Sequence, residues 1–159
     1  IVHKSDVGGV AVNLKDSNAV ESAAKEMEKK FGSAGLRFFI QKYMPGGREI
    51  IIGAKAEKGL GHTLMFGLGG VYVELMKDIS FELTPITSGE AKEMLSSIKS
   101  YPLLSGFRGD KGVDQEKLVA VLQRVSQLVT ELPMIQEMDL NPVVAYENKA
   151  CVVDARIII

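Results

Sequence analysis

This sequence offers little to sulfur or zinc chemistry: of 159 residues one is cysteine, Cys151, and two are histidine, His3 and His62. A single cysteine excludes an internal disulfide and fits a reducing, cytoplasmic setting. Cys151 stands in an apolar strand pattern and is expected to be a buried core thiol. No His/Cys pair has zinc-ligand spacing. No apolar run approaches the roughly 18 residues that span a bilayer. No secretory signal opens the chain, which starts at Ile1 rather than Met and reads as a trimmed or processed piece. The net charge is −1 and Lys and Arg form no cluster, so neither nucleic acid nor a membrane is an expected partner. Repeats and low-complexity segments are also missing.

What is there suffices for one compact domain or a domain with a small lobe, burying about two thirds of its unfolded surface. Residues 1–9 read as a loop, and residues 10–14 alternate as a strand. Asn18 and Glu21 form a capping pair for a helix with Val20, Ala23, Ala24, Met27 and Phe31 at helical spacing, ended by Gly32. Residues 36–44 are a second strand, closed by the Pro45-Gly46-Gly47 turn. The expected division is therefore a small α+β lobe at 1–44 and a larger one at 45–159. In the larger lobe strands are expected at 49–54, 63–66, 71–75 and 80–83. Thr87 and Glu90 cap a short helix, and Tyr101-Pro102 anchors a loop. Asp114 opens the longest helix, with Leu118, Val121, Leu122, Val125, Leu128, Val129 and Leu132 inward and Pro133 stopping it.

The chemistry concentrates at the C-terminal end. Val143-Val144 and Val152-Val153 flank a polar turn, Glu147-Asn148-Lys149, and predict a hairpin. Side chains alternate along a strand, so Asp139 and Asn141 share a face. If Asp154 faces the same way, the set suits a hard divalent cation such as Mg²⁺; from spacing alone, two solvated acids on a hairpin rim fit slightly better. Gly67-Leu68-Gly69-Gly70 precedes a strand rather than a helix, so it is not a dinucleotide fingerprint. Its glycines either let another segment approach the backbone or form a bulged turn. His62, Glu74 and Asp78 are read as surface or turn residues. His3, mostly neutral at pH 7, either has a ring nitrogen free to attack phosphorus or is a solvated histidine near a chain end.

Asp139-x-Asn141-Pro142 followed by Asp154 resembles the metal hairpin of ATP-grasp enzymes, in particular the nucleotide-binding subunit of the succinyl-CoA synthetase superfamily. The segments His3-Lys4-Ser5-Asp6, Gly47-Arg48-Glu49-Ile50, Phe66-Gly67-Leu68-Gly69-Gly70 and Gly106-Phe107-Arg108-Gly109 occur in the order seen in the NDP-forming (usually ADP-forming) acyl-CoA synthetases, across nearly the whole chain.

The resemblance implies an α+β ATP-grasp fold of two unequal lobes, with a mainly antiparallel sheet in the larger. A first lid strand bearing a phosphate-binding lysine is expected before Ile1, and without it this piece is expected to be inactive alone. The implied ligands are Mg²⁺ and ATP or ADP, with Asn141 and Asp154 on the metal. Asp139 is then catalytic. Lys42 and Met44 would offer backbone to adenine, Gln41 would stand where an acid is common, Glu49 would take the ribose, and Lys55 a phosphate. His3 would carry a phosphoryl group, steadied by Lys4 and oriented by Asp6, and Arg108 would fork onto phosphate or a carboxylate. The implied partner is a CoA-binding subunit or domain carrying its own phosphorylated histidine. Two other readings fit the same pattern: a regulatory or vestigial module of a protein lysine acetyltransferase fusion, and a carboxylate–amine ligase.

Overall fold

The protein's computed structural model describes residues 8–32, 35–70 and 76–159. The chain divides into two compact units, Ile1–Pro45 and Gly46–Ile159.

The small unit is built on helix α1, Ser17–Phe31. Its cap is Asp16 rather than Asn18: the Asp16 carboxylate accepts the Ala19 N–H at 2.8 Å from extended backbone, so Asn18 falls inside the first turn. Gly32, at φ 79°, ends the helix and sends its N–H to the Glu28 carbonyl. Residues 10–14 and 36–44 contain no strand among the described residues. Alternation marks a ribbon that could be half-buried, but a strand also needs a partner ladder, and neither segment's own pattern supplies one.

The large unit is an antiparallel sheet covered by helices on one face. Its strands are β1 (Arg48–Glu57), β2 (Gly61–Leu68), β3 (Ile79–Leu83), β4 (Glu137–Ala145), β5 (Ala150–Val152) and β6 (Ala155–Ile158). They run β3-β2-β1-β4-β5, with β6 also paired to β4. The expected strand at 71–75, with Glu74, lies outside the described residues. Period-two burial explains the packing: Ile50, Ile52 and Ala54, Leu64, Phe66 and Leu68, and Met138 and Leu140 form one buried layer.

That layer packs under α2 (Ser88–Ser97) and α4 (Gln115–Glu131), with the short α3 (Tyr101–Ser105) between them. Thr87 and Glu90 form a full capping box on α2. Asp114 caps α4, whose buried stripe is Leu118, Val119, Leu122, Val125, Ser126 and Val129. Leu128 and Leu132 were expected inward but lie on the flank of this narrower stripe, 37% and 41% exposed. Ser126 belongs in the stripe because its hydroxyl accepts the Ile86 N–H at 2.9 Å. Tyr101-Pro102, read as a loop, begins α3, where proline suits the first turn.

Three polar residues differ from expectation. His62 is buried, not on the surface, because its parity in β2 is that of Leu64 and Phe66; its Nε2 lies 2.7 Å from the Ile135 carbonyl. Asp78 is also buried, accepting the N–H groups of Lys99 and Ser100 at 2.7 Å each. Those donors hold its carboxyl below the ordinary aspartate range although burial pushes the other way. Cys151 is half-buried in the short edge strand β5 rather than in the core.

Candidate functional site

The hairpin of β4 with β5 and β6 places the acidic residues. Pairing is continuous: Leu140 faces Ala155, and Val143 faces Val152. Between them the Asn141 N–H reaches the Asp154 carbonyl at 3.1 Å, and the Val153 N–H reaches the Pro142 carbonyl at 3.0 Å. Asn141 therefore stands opposite Asp154 across the ladder, and Asp139, two residues back, stands opposite Arg156. Residues opposed in this way have Cβ atoms about 4.5–5.5 Å apart. The four form a rectangle on the sheet face away from Met138 and Leu140, with Asn141, Asp154 and Arg156 exposed and Asp139 half-buried. The break between β5 and β6 falls at residues 153–154, and the Asn141–Pro142 peptide is cis.

On its other side β4 pairs β1 with a register shift between Ile50 and Ile52, opposite Asn141-Pro142. Gly53 then lies beside Asp139, so no β1 side chain covers that carboxylate. Lys55 and Glu137 form the next cross-strand pair.

Electrostatics agree with this convergence. Burial pushes the Asp139 carboxyl above the usual aspartate value; Glu137 adds to the rise, Arg156 opposes it and Asp154 adds again. A carboxylate raised by burial and by two acidic neighbours is suited to receiving a cation. Among the described residues no three His, Cys, Asp or Glu side chains gather as a metal site. The donors at the hairpin are two carboxylates and a carboxamide, an all-oxygen set that leaves positions for water or phosphate. That fits Mg²⁺ and not zinc.

The remaining predicted residues are placed as follows. Glu49 is exposed on β1, on the same strand face as Gly53 and Lys55, and Lys55 is exposed too. Gln41 and Lys42 are exposed and Met44 half-buried on the small unit. Arg108, at φ 51°, lies over the ring of Phe107 at 5.2 Å on the exposed turn after α3. His3, Lys4 and Asp6 lie outside the described residues. The glycine stretch does permit close approach: the Gly69 N–H donates to the Glu49 carbonyl at 2.7 Å. A cavity of about 580 Å³ opens at the turn end of the hairpin, lined by Gly47, Arg48, Asp110, Gly112, Tyr146 and Glu147, with Arg48 and Asp110 ion-paired. Sequence reasoning missed Arg156 and Glu137. Their one available signal was parity with Asp139 once the hairpin register is drawn.

The family profile of the ATP-grasp domain matches residues 1–159. The chain belongs to the ATP-grasp family. Within this ATP-grasp family it is 43% identical over 164 residues to the Pyrococcus furiosus acetate–CoA ligase (ADP-forming) I subunit beta, covering 100% of this chain and 71% of that one. It is 45% identical over 166 residues to the Nitrosopumilus maritimus 4-hydroxybutyrate–CoA ligase (ADP-forming), covering 99% of this chain and 24% of that protein. Among solved ATP-grasp structures, acetyl-coenzyme A synthetase 1 of Ca. Korarchaeum cryptofilum, in complex with coenzyme A and Mg-AMPPCP, superposes with a TM-score of 0.89 at 44% identity. That match covers 99% of this chain and 70% of the other, whose phosphohistidine segment points towards its nucleotide-binding site. The two named relatives are acid–thiol ligases, which favours that class over an acetyltransferase module or a carboxylate–amine ligase.

Proposed function

We propose that this chain is the nucleotide-binding part of an ADP-forming acyl-CoA ligase and works with a CoA-binding subunit or domain. The overall reaction is acyl-CoA + ADP + phosphate ⇌ acid + CoA + ATP. Phosphate displaces CoA to give an acyl phosphate. A histidine nitrogen takes the phosphoryl group and releases the acid; ADP then takes it from histidine. The observation that carries this reading is the rectangle formed by β4 and the segment 154–156 opposite it, with Asp139, Asn141 and Asp154 on one sheet face.

Asn141 and Asp154 would hold Mg²⁺, which when bound neutralises nucleotide phosphate charge. Asp139 faces the phosphoryl group and orients the histidine that delivers it. Lys55 meets phosphate oxygens and Glu49 the ribose hydroxyls. Lys42 and Met44 present backbone, and Gln41 its carboxamide, to the base. His3 is the second phosphoryl carrier, and Arg108 binds the incoming anionic segment. Phosphoryl transfer is largely positioning and charge neutralisation, which such a set supplies without covalent chemistry of its own beyond histidine.

The test uses the full-length enzyme with its CoA-binding part, supplied with acetyl-CoA, ADP, phosphate and Mg²⁺. ATP formation is expected, falling at least about 100-fold in Asp154→Asn, since one charge-stabilising group is worth that much. Absence of ATP formation with any acyl-CoA, together with no binding of Mg-ADP, overturns the assignment.

A further inference from the structure

We propose that Arg156 is the anion-binding corner of the hairpin rectangle and takes the terminal phosphate of a nucleoside diphosphate. This rests on the reading above, that a nucleotide binds at the hairpin.

Position is the first argument. Arg156 stands directly opposite Asp139 and two residues beyond Asp154, so its side chain emerges on the face where the carboxylates converge. A ligand bridging Asp139 and Asp154 lies within reach of its guanidinium.

Its guanidinium donors are also unused among the described residues. Arg156 is exposed and its side chain has no hydrogen bond or ion pair among the described residues, although a half-buried carboxylate is its cross-strand neighbour. A guanidinium with five free N–H groups can fork onto two phosphate oxygens. On the far side of Asp139, Gly53 carries no side chain, and the Met65 methyl covers that glycine, 3.2 Å from where a Cβ would stand, so no charged group of β1 stands directly beside Asp139.

Charge gives the third argument. Asp139, Asp154 and Glu137 outweigh Arg156 and Lys55 by one, so the bare patch repels phosphate. A divalent cation reverses the sign, and Arg156 then adds the directional contact that a metal alone does not give. The carboxylates would thus admit only the metal-bound nucleotide, and Arg156 would read its terminal phosphate.

The experiment is isothermal titration of the full-length enzyme, with its CoA-binding part, using Mg-ADP and adenosine as separate probes. Variants are Arg156→Met, Arg156→Lys and, for the metal corner, Asp154→Asn. Loss of one charged hydrogen-bonding group predicts about 10- to 100-fold weaker Mg-ADP binding in R156M. Adenosine affinity and melting temperature should be unchanged, and R156K should recover part of the loss. If R156M binds Mg-ADP within about twofold of wild type while D154N does not bind, the role of Arg156 is wrong and the nucleotide site stands. If D154N also binds normally, or wild type does not bind, the nucleotide site fails and the Arg156 role with it. Equal loss of ADP and adenosine with a lowered melting temperature makes Arg156 merely structural and overturns the proposal.

Discussion

Gly69 rests directly on the backbone of Glu49. Its N–H donates to the Glu49 carbonyl at 2.7 Å, and a Cβ at Gly69 would stand 3.1 Å from the Glu49 Cβ and 3.2 Å from its carbonyl carbon. Backbone cannot swing aside as a flexible side chain can. Gly69→Ala is therefore expected to cost about 1–3 kcal/mol as overpacking and to displace Glu49. Denaturant melts should show the loss; an unchanged midpoint would mean β1 yields freely there.

The buried Asp78 carboxylate predicts a pH dependence. Its pKa is lowered from 3.8, so its stabilisation is complete above that value and disappears as pH falls through the folded-state value. Asp78→Asn keeps one acceptor and loses the other, which should cost about 1.5–3 kcal/mol at neutral pH for bonds to a charged group. The gap between variant and wild type should narrow below pH 3.8. A gap constant from neutral pH into acid would show that charge is not what Asp78 contributes.

His62 ties β2 to the segment entering β4 through its contact with the Ile135 carbonyl. Replacing it by Phe fills similar space and strands that carbonyl, at an expected cost of about 1–3 kcal/mol. Gln, which can still donate, should recover part of it. Comparison of the two variants by thermal melting decides whether the bond or the volume matters.

Asp139 behaves oppositely to Asp78. Its pKa is raised from 3.8, so the folded chain carries a penalty that develops as pH rises above that value and is complete above the folded-state pKa. Asp139→Asn should melt higher than wild type at neutral pH, and the difference should vanish in acid. The same change should abolish ATP formation by the full enzyme. A variant that melts lower at neutral pH would show that burial and the neighbouring acids do not penalise the charge at this position.

Sequence patterns disclosed the elements whose information is local. The Thr87–Glu90 box and the Asp114 cap lie next to what they terminate, and the alternation in β1 and β2 follows the face each strand buries. Where a partner decides, the pattern fell short. Residues 36–44 alternate like a strand yet form no ladder among the described residues. Asp78 finds its donors 21 and 22 residues further on, which nothing near it announces. His62 was legible in principle, since its spacing to Leu64 and Phe66 marks it as inward; the preceding glycine suggested a turn instead. For the candidate site, the grouping of Asp139 with Asn141 needed only strand period. The fourth corner, Arg156, required the hairpin register, fixed by the length of the turn at 146–149.

The strand that bears Asp139 and Asn141 is bordered by neighbours along both edges. Amides in such an interior ribbon exchange slowly with solvent, so Asp139 and Asn141 ride on a slow-breathing strand, whereas Asp154 stands at the break between β5 and β6. The mutual spacing of Asp139 and Asn141 is thereby set by the fold, and a ligand held there would not have to order them.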